Sequence, residues 1–161
     1  MARVLIIGCG CRGGELARRL AAEGYAVRGT TRDPSRMASI QAAGAEAVVA
    51  DPDRLATLVP QLAGVSAMCW LLGTAEGAPE LHGARLRALL ERLVDTPVRG
   101  MVYEAAGSVD GELLAAGAAI TRDASARWHI PVEVVDEDPS SHAEWLTAMV
   151  AATRRLLNTR A

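Results

Sequence analysis

Six times along this chain a short apolar run rich in β-branched residues gives way to a longer Ala/Leu/Arg segment of helical period, and that alternation constrains the fold more than any other feature. The first run, Arg3–Ile7 (RVLII), is apolar after its first residue, as a strand covered on both faces should be. Residues 13–23 follow as a helix stopped by Gly24. A second strand is expected over residues 26–31, with Asp33 as the cap and Pro34 as the first residue of a helix to Ala43. Residues 47–50 read as strand three, and Asp53 as the cap of a helix reaching Leu62. Residues 65–72 (VSAMCWLL) form the most apolar strand, the fourth, with a helix over 81–94 behind it. Strand five lies within 97–103 and is followed by a helix over 111–127. Strand six lies within 131–135, and Ser141 with Glu144 spells a capping box that opens a helix to Asn158.

Strands that alternate with helices pair in parallel, because each return needs a crossover, and right-handed crossovers cover both faces of the sheet. The expected fold is α/β: a doubly wound, three-layer α/β/α arrangement on a six-stranded parallel sheet of order 3-2-1-4-5-6, spanning residues 1–161 as one domain. Phe is absent and aromatics make up 3% of the chain, so the core must be built from Ala, Val, Leu and Ile. A net charge of −2 gives no broad basic field for nucleic acid or an anionic membrane. No run reaches the ~18–20 apolar residues that a membrane span needs. Three cysteines, an odd count, argue against a disulfide framework and for a reduced cytoplasm.

Gly8-Cys9-Gly10-Cys11-Arg12-Gly13 stands directly after strand one and opens a helix. Its G-x-G-x-x-G spacing is the Rossmann dinucleotide fingerprint. Gly8 permits the tight turn, Gly10 lets the backbone approach a pyrophosphate, and Gly13 lets the helix pack closely on the strand. The helix N-terminus offers free amides and the positive end of its dipole to the phosphates. At the end of strand two, where NAD-binding domains carry an acid for the ribose, this chain has Thr30-Thr31-Arg32. Two hydroxyls and a guanidinium suit the 2′-phosphate of NADP(H). NAD(H) stays open because Asp33 is adjacent, and a similar turn can hold a flavin dinucleotide. Arg12 has two readings: stacking on the adenine or assisting the phosphates.

Glu104, ending strand five, is a candidate general base or substrate contact, with an exposed loop acid as the plain alternative. Cys9-x-Cys11 has one intervening residue and no further ligand cluster, so no metal site is expected. His82 opens the helix after strand four, where it faces the cleft, serves as a cap or lies at the surface. The apolar last helix, with Trp145, is either core or a homodimer contact.

VLIIGCGCRGGELARRL followed by AVRGTTRDPSR resembles the start of atypical short-chain dehydrogenase/reductase proteins, of the NAD(P)-dependent epimerase/dehydratase-like and NmrA-like kinds. The resemblance covers about the first third of the chain. It implies that Asp51 lies near the adenine, that Leu72-Gly73-Thr74 passes along the nicotinamide ribose, and that residues 103–107 approach the nicotinamide. Active members use a Tyr-x-x-x-Lys pair, usually with a Ser just after strand five. The sequence contains no lysine, and Ala105 or Ala106 stands where the Ser would be. Three readings follow. The first is an NADP(H)-binding or sensing module, and the second an atypical NADP(H)-dependent oxidoreductase whose small-substrate site a partner subunit completes. The third is an interaction module that has lost the nucleotide.

Overall fold

Six short strands hydrogen-bond side by side in parallel, and their spatial order is β3-β2-β1-β4-β5-β6. The computed structural model describes residues 2–158. The elements are β1 (Arg3–Ile7), α1 (Cys11–Ala22), β2 (Ala26–Thr31), α2 (Met37–Ala42), β3 (Glu46–Val49) and α3 (Leu55–Leu58). There follow β4 (Ala67–Trp70), α4 (Ala84–Leu93), β5 (Gly100–Glu104), α5 (Gly111–Trp128), β6 (Val132–Val135) and α6 (His142–Asn158).

Side chains alternate across a strand, so consecutive residues of β1 enter different cores. Val4 and Ile6 pack with Leu16 and Leu20 of α1, Ile40 of α2, and Trp145 and Met149 of α6. Leu5 and Ile7 pack on the opposite face with Leu58 of α3, Leu86 and Leu90 of α4, and Ala118 of α5. Both faces of the sheet are therefore covered, which is why β1, β4 and β5 show no polar stripe. The sheet order, its parallel strands and the layered α/β/α architecture are those the sequence pattern implies. Among the described residues, no helix is long and apolar enough to cross a membrane.

The departures are local and have local causes. Asp53 does not cap α3: its carboxylate takes the Arg85 Nε–H at 3.1 Å, and the residue before α3 is Arg54, with no side-chain cap. After one turn, Val59–Leu62 tightens into a 3-10 helix with Pro60 near its start, so the expected long helix is split. The helix after β4 begins at Ala84 because a separate 3-10 turn, Pro79–His82, precedes the break at Gly83. Asp33 and Asp110 do cap, accepting from the amides of Ser35 and Glu112 respectively. Gly117, an odd residue for the middle of α5, lies against the Tyr103 ring, and a Cβ there would overlap the hydroxyl.

Candidate dinucleotide site

β1 ends at Ile7, and the chain turns sharply through Gly8, whose φ is +81°, a value that L side chains rarely adopt. A Cβ on Gly8 would also stand 2.5 Å from the Leu71 carbonyl oxygen, so strand β4's neighbour fixes the turn from the other side. The turn is tied to β2 as well. Gly8 N–H donates to the Thr30 hydroxyl at 3.3 Å, and Cys9 N–H donates to the Thr30 carbonyl at 3.0 Å. Gly13 sits beneath, where a Cβ would meet Gly8 O at 3.2 Å and Cys9 Sγ at 3.3 Å. The Cys9 thiol fills that corner, and burial pushes its pKa up to about 11.

Above the turn the space is open. A Cβ on Gly10 would find nothing nearer than Arg36 Nη1, at 3.9 Å. Gly10 is the residue before α1, and Gly14 N–H is the first to close a helical bond, onto Gly10 O at 2.8 Å. The amides of Cys11, Arg12 and Gly13 thus belong to the unpaired first turn of the helix. A cleft of about 640 Å³ runs across this turn at the carboxyl ends of the strands. That is where ligands bind in doubly wound sheets, at the switch point flanking β1.

The sequence-derived candidates do not all reach the cleft. Gly8, Cys9, Gly10, Arg12, Thr30, Thr31, Arg32, Leu72 and Thr74 line the cleft. Gly13 supports it from below and Cys11 is solvent-exposed at the helix start. Asp51 turns its carboxylate back onto its own loop, accepting from Asp53 N–H at 2.9 Å, while its neighbours Ala50 and Pro52 line the wall. Gly73 is buried behind the cleft. The threonine hydroxyls serve the scaffold: Thr30 accepts from Gly8, and Thr31 Oγ1 accepts from Asp33 N–H at 3.1 Å.

Electrostatics at the β2 end favour an anion. Arg32 and Arg36 are exposed and line the cleft. Asp33 also borders the cleft, and its Oδ1 accepts from the Ser35 amide at 2.9 Å and the Ser35 hydroxyl at 2.8 Å. Those bonds, with Arg36 nearby, hold its carboxyl below the usual range.

The β4–β5 end is built around Glu104, which is fully buried. Oε1 accepts from Arg12 Nη2 at 2.6 Å and from Gly73 N–H at 2.9 Å, and Oε2 accepts from Trp145 Nε1 at 2.8 Å. Arg12 also donates to Thr74 Oγ1 at 3.0 Å, and its guanidinium lies 5.4 Å from the Trp145 ring centroid. Burial raises the Glu104 carboxyl above its ordinary value, and the Arg12 guanidinium opposes that rise. With both oxygens taken by these three donors, the carboxylate is a strut between β5, α1 and α6 and offers no open face for proton abstraction. Arg12 correspondingly faces β4 and β5, not the β2 end. Removing one partner of a buried pair typically costs about 3–5 kcal/mol, so Arg12 is held firmly where it stands.

Behind this wall, His82 Nε2–H donates to the Leu72 carbonyl at 3.0 Å. A carbonyl can only accept, so Nδ1 accepts the Tyr103 hydroxyl proton at 2.6 Å. Burial lowers the His82 pKa and raises that of Tyr103, which keeps both neutral. His82 is thus a core residue, neither a cap nor part of the cleft wall. The sequence did not single out Arg36 or the contact of Trp145 with Glu104. Arg36 lies four residues after Arg32, at the end of the 3-10 turn that Asp33 caps. Trp145 is 41 residues from Glu104, and no local pattern reports that contact.

Residues 8–124 match a family model described as NAD(P)H-binding. The chain belongs to this NAD(P)H-binding family. No curated protein matches the sequence. Among solved structures, Citrobacter sp. triphenylmethane reductase, complexed with NADP(H), is similar with a TM-score of 0.65 at 18% identity over 82% of this chain and 48% of that one. UDP-glucuronic acid 4-epimerase from Bacillus cereus, complexed with NAD, gives 0.64 at 16% over 82% and 55%. BdcA from E. coli gives 0.71 at 16% over 98% and 94%. The chain spans about half the length of the reductase and the epimerase. At such identities the likeness establishes the shared fold.

Proposed function

We propose that this NAD(P)H-binding chain prefers NADP(H) over NAD(H) and works as a module that holds or senses the dinucleotide. The carrying observation is the β2 end of the cleft, where Arg32 and Arg36 are exposed, Arg32 makes no ion pair among the described residues, and one oxygen of Asp33, the acid beside it, is held by its own turn. A 2′-phosphate there meets a planar bidentate donor, whereas the one carboxylate at hand for a ribose diol has an oxygen engaged by Ser35. The glycine turn fits the diphosphate: its first-turn amides are unpaired, and Gly10 leaves the approach clear. When bound, the nicotinamide would supply the capacity for hydride transfer. The chain's own residues supply no Tyr-x-x-x-Lys pair, and Glu104 is fully engaged.

Calorimetry with NADPH, NADP⁺, NADH and NAD⁺ tests this reading. Arg32→Ala should weaken NADPH by roughly tenfold or more, the loss of one charged hydrogen bond of about 1.5–3 kcal/mol, and leave NADH within about twofold. Equal losses for both would remove the 2′-phosphate role. Turnover of small carbonyls or quinones at the expense of NADPH would replace the holding module with an oxidoreductase.

A further inference from the structure

The two halves of the crevice are not alike. A dinucleotide crossing the switch point places one half over β2 and the other over β4 and β5. On the β2 side Arg32 and Arg36 are exposed and the approach at Gly10 is open. On the other side the cleft wall comes from Leu71, Leu72 and Thr74 with the loop that follows, and no residue of β5 or of the loop after it contributes. Three contacts account for that closure. Arg12 reaches from α1 across to Thr74 and Glu104. Trp145 of α6 backs the guanidinium and donates to the same carboxylate. Gly73 lies so close to the Ala106 carbonyl that a Cβ would overlap it, leaving no gap between the loops that follow β4 and β5.

We propose that Arg12 is a positioning residue that bars the second half of the dinucleotide from the end of β5, so that this site recognises the 2′-phosphoadenosine diphosphate portion and leaves the nicotinamide in solvent. The ligand class is then 2′-phosphoadenosine diphosphates as a group, with NADPH one member among several. This rests on reading the cleft as an NADP(H) site. The clasp does not swing aside for a phosphate, because Glu104 would be left buried without its cation. Nor is there room over the end of β5 for the ring to meet a bound substrate, since Arg12 and the Gly73–Ala106 contact fill that position.

The experiment compares NADPH, NADP⁺ and 2′-phospho-ADP-ribose, which lacks only the nicotinamide, by calorimetry, together with the emission of bound NADPH. Affinities within threefold across the three, with the emission maximum of bound NADPH where it stands in water, are expected. The double variant Arg12→Ala/Glu104→Gln removes the clasp without stranding a charge. It should favour NADPH over 2′-phospho-ADP-ribose by tenfold or more and shift the emission to the blue, changes that a purely structural role for Arg12 would not produce. A preference above threefold for NADPH in the unaltered protein overturns the inference and leaves the NADP(H) reading standing. Failure of all three to bind overturns both.

Discussion

Arg12→Ala should destabilise the chain in a way that depends on pH. Glu104 is fully buried, and its carboxyl is raised above the ordinary range because burial outweighs Arg12 and its other donors. The folded chain therefore holds that proton more tightly than the unfolded chain does. The group's contribution is complete below the ordinary carboxylate pKa and is lost as pH rises through the raised folded value. Arg12 is the largest influence opposing the rise, so its removal steepens the dependence. The Arg12 side chain is 24% exposed, which admits some water to its side of the pair and points to the lower end of the range, about 3 kcal/mol near neutral pH. For a chain of this size that is a fall in Tm of roughly 6–12 °C. Urea unfolding followed by far-ultraviolet circular dichroism at about pH 7.5 and about pH 5.5 reads it, with recovery expected at the lower pH. The same substitution made in Glu104→Gln should cost about 2 kcal/mol less, because no buried charge is stranded. A loss below about 1 kcal/mol that is equal at both pH values would mean that the pair behaves as a surface ion pair, and the strut would be refuted.

Gly117→Ala pushes a methyl group into the Tyr103 hydroxyl and should cost about 1–3 kcal/mol by overpacking, read by the same urea titration; no loss would show that α5 can shift freely off β5. Tyr103→Phe leaves His82 Nδ1 buried without its donor and should cost about 1–3 kcal/mol, whereas a neutral result would place a water at that atom. Ellman's reagent at neutral pH should modify one thiol in the folded chain, Cys11, because Cys9 and Cys69 are buried with pKa values pushed up to about 11 and about 12; rapid reaction of a second thiol would contradict that packing.

The legible part of this chain was whatever repeats or sits within a few residues. Alternating apolar and helical segments set the parallel sheet and its order, because each crossover allows few alternatives. The glycine turn was legible because Gly8, Gly10 and Gly13 each answer a local demand of the backbone. Capping was legible where the turn is self-contained, as at Asp33, and failed at Asp53, which a distant Arg85 occupies. Glu104 was picked out by its place at the end of β5, but its chemistry was not readable. Its partners come from α1, the residues after β4, and α6, up to 92 residues away, and only the assembled fold brings them to one carboxylate. The glycine at position 117, in the middle of α5, has its reason in the Tyr103 ring packed against it, a contact no local pattern reports.

In the proposed site the unpaired first-turn amides of α1 receive the diphosphate. Backbone ¹⁵N–¹H spectra recorded during titration with NADPH test it most directly. The amides of Cys11, Arg12 and Gly13 should shift more than any others outside the β2 end, and Gly10→Val, which fills the open approach, should abolish both the shifts and the binding. Tight binding that leaves those three amides unmoved would contradict the account.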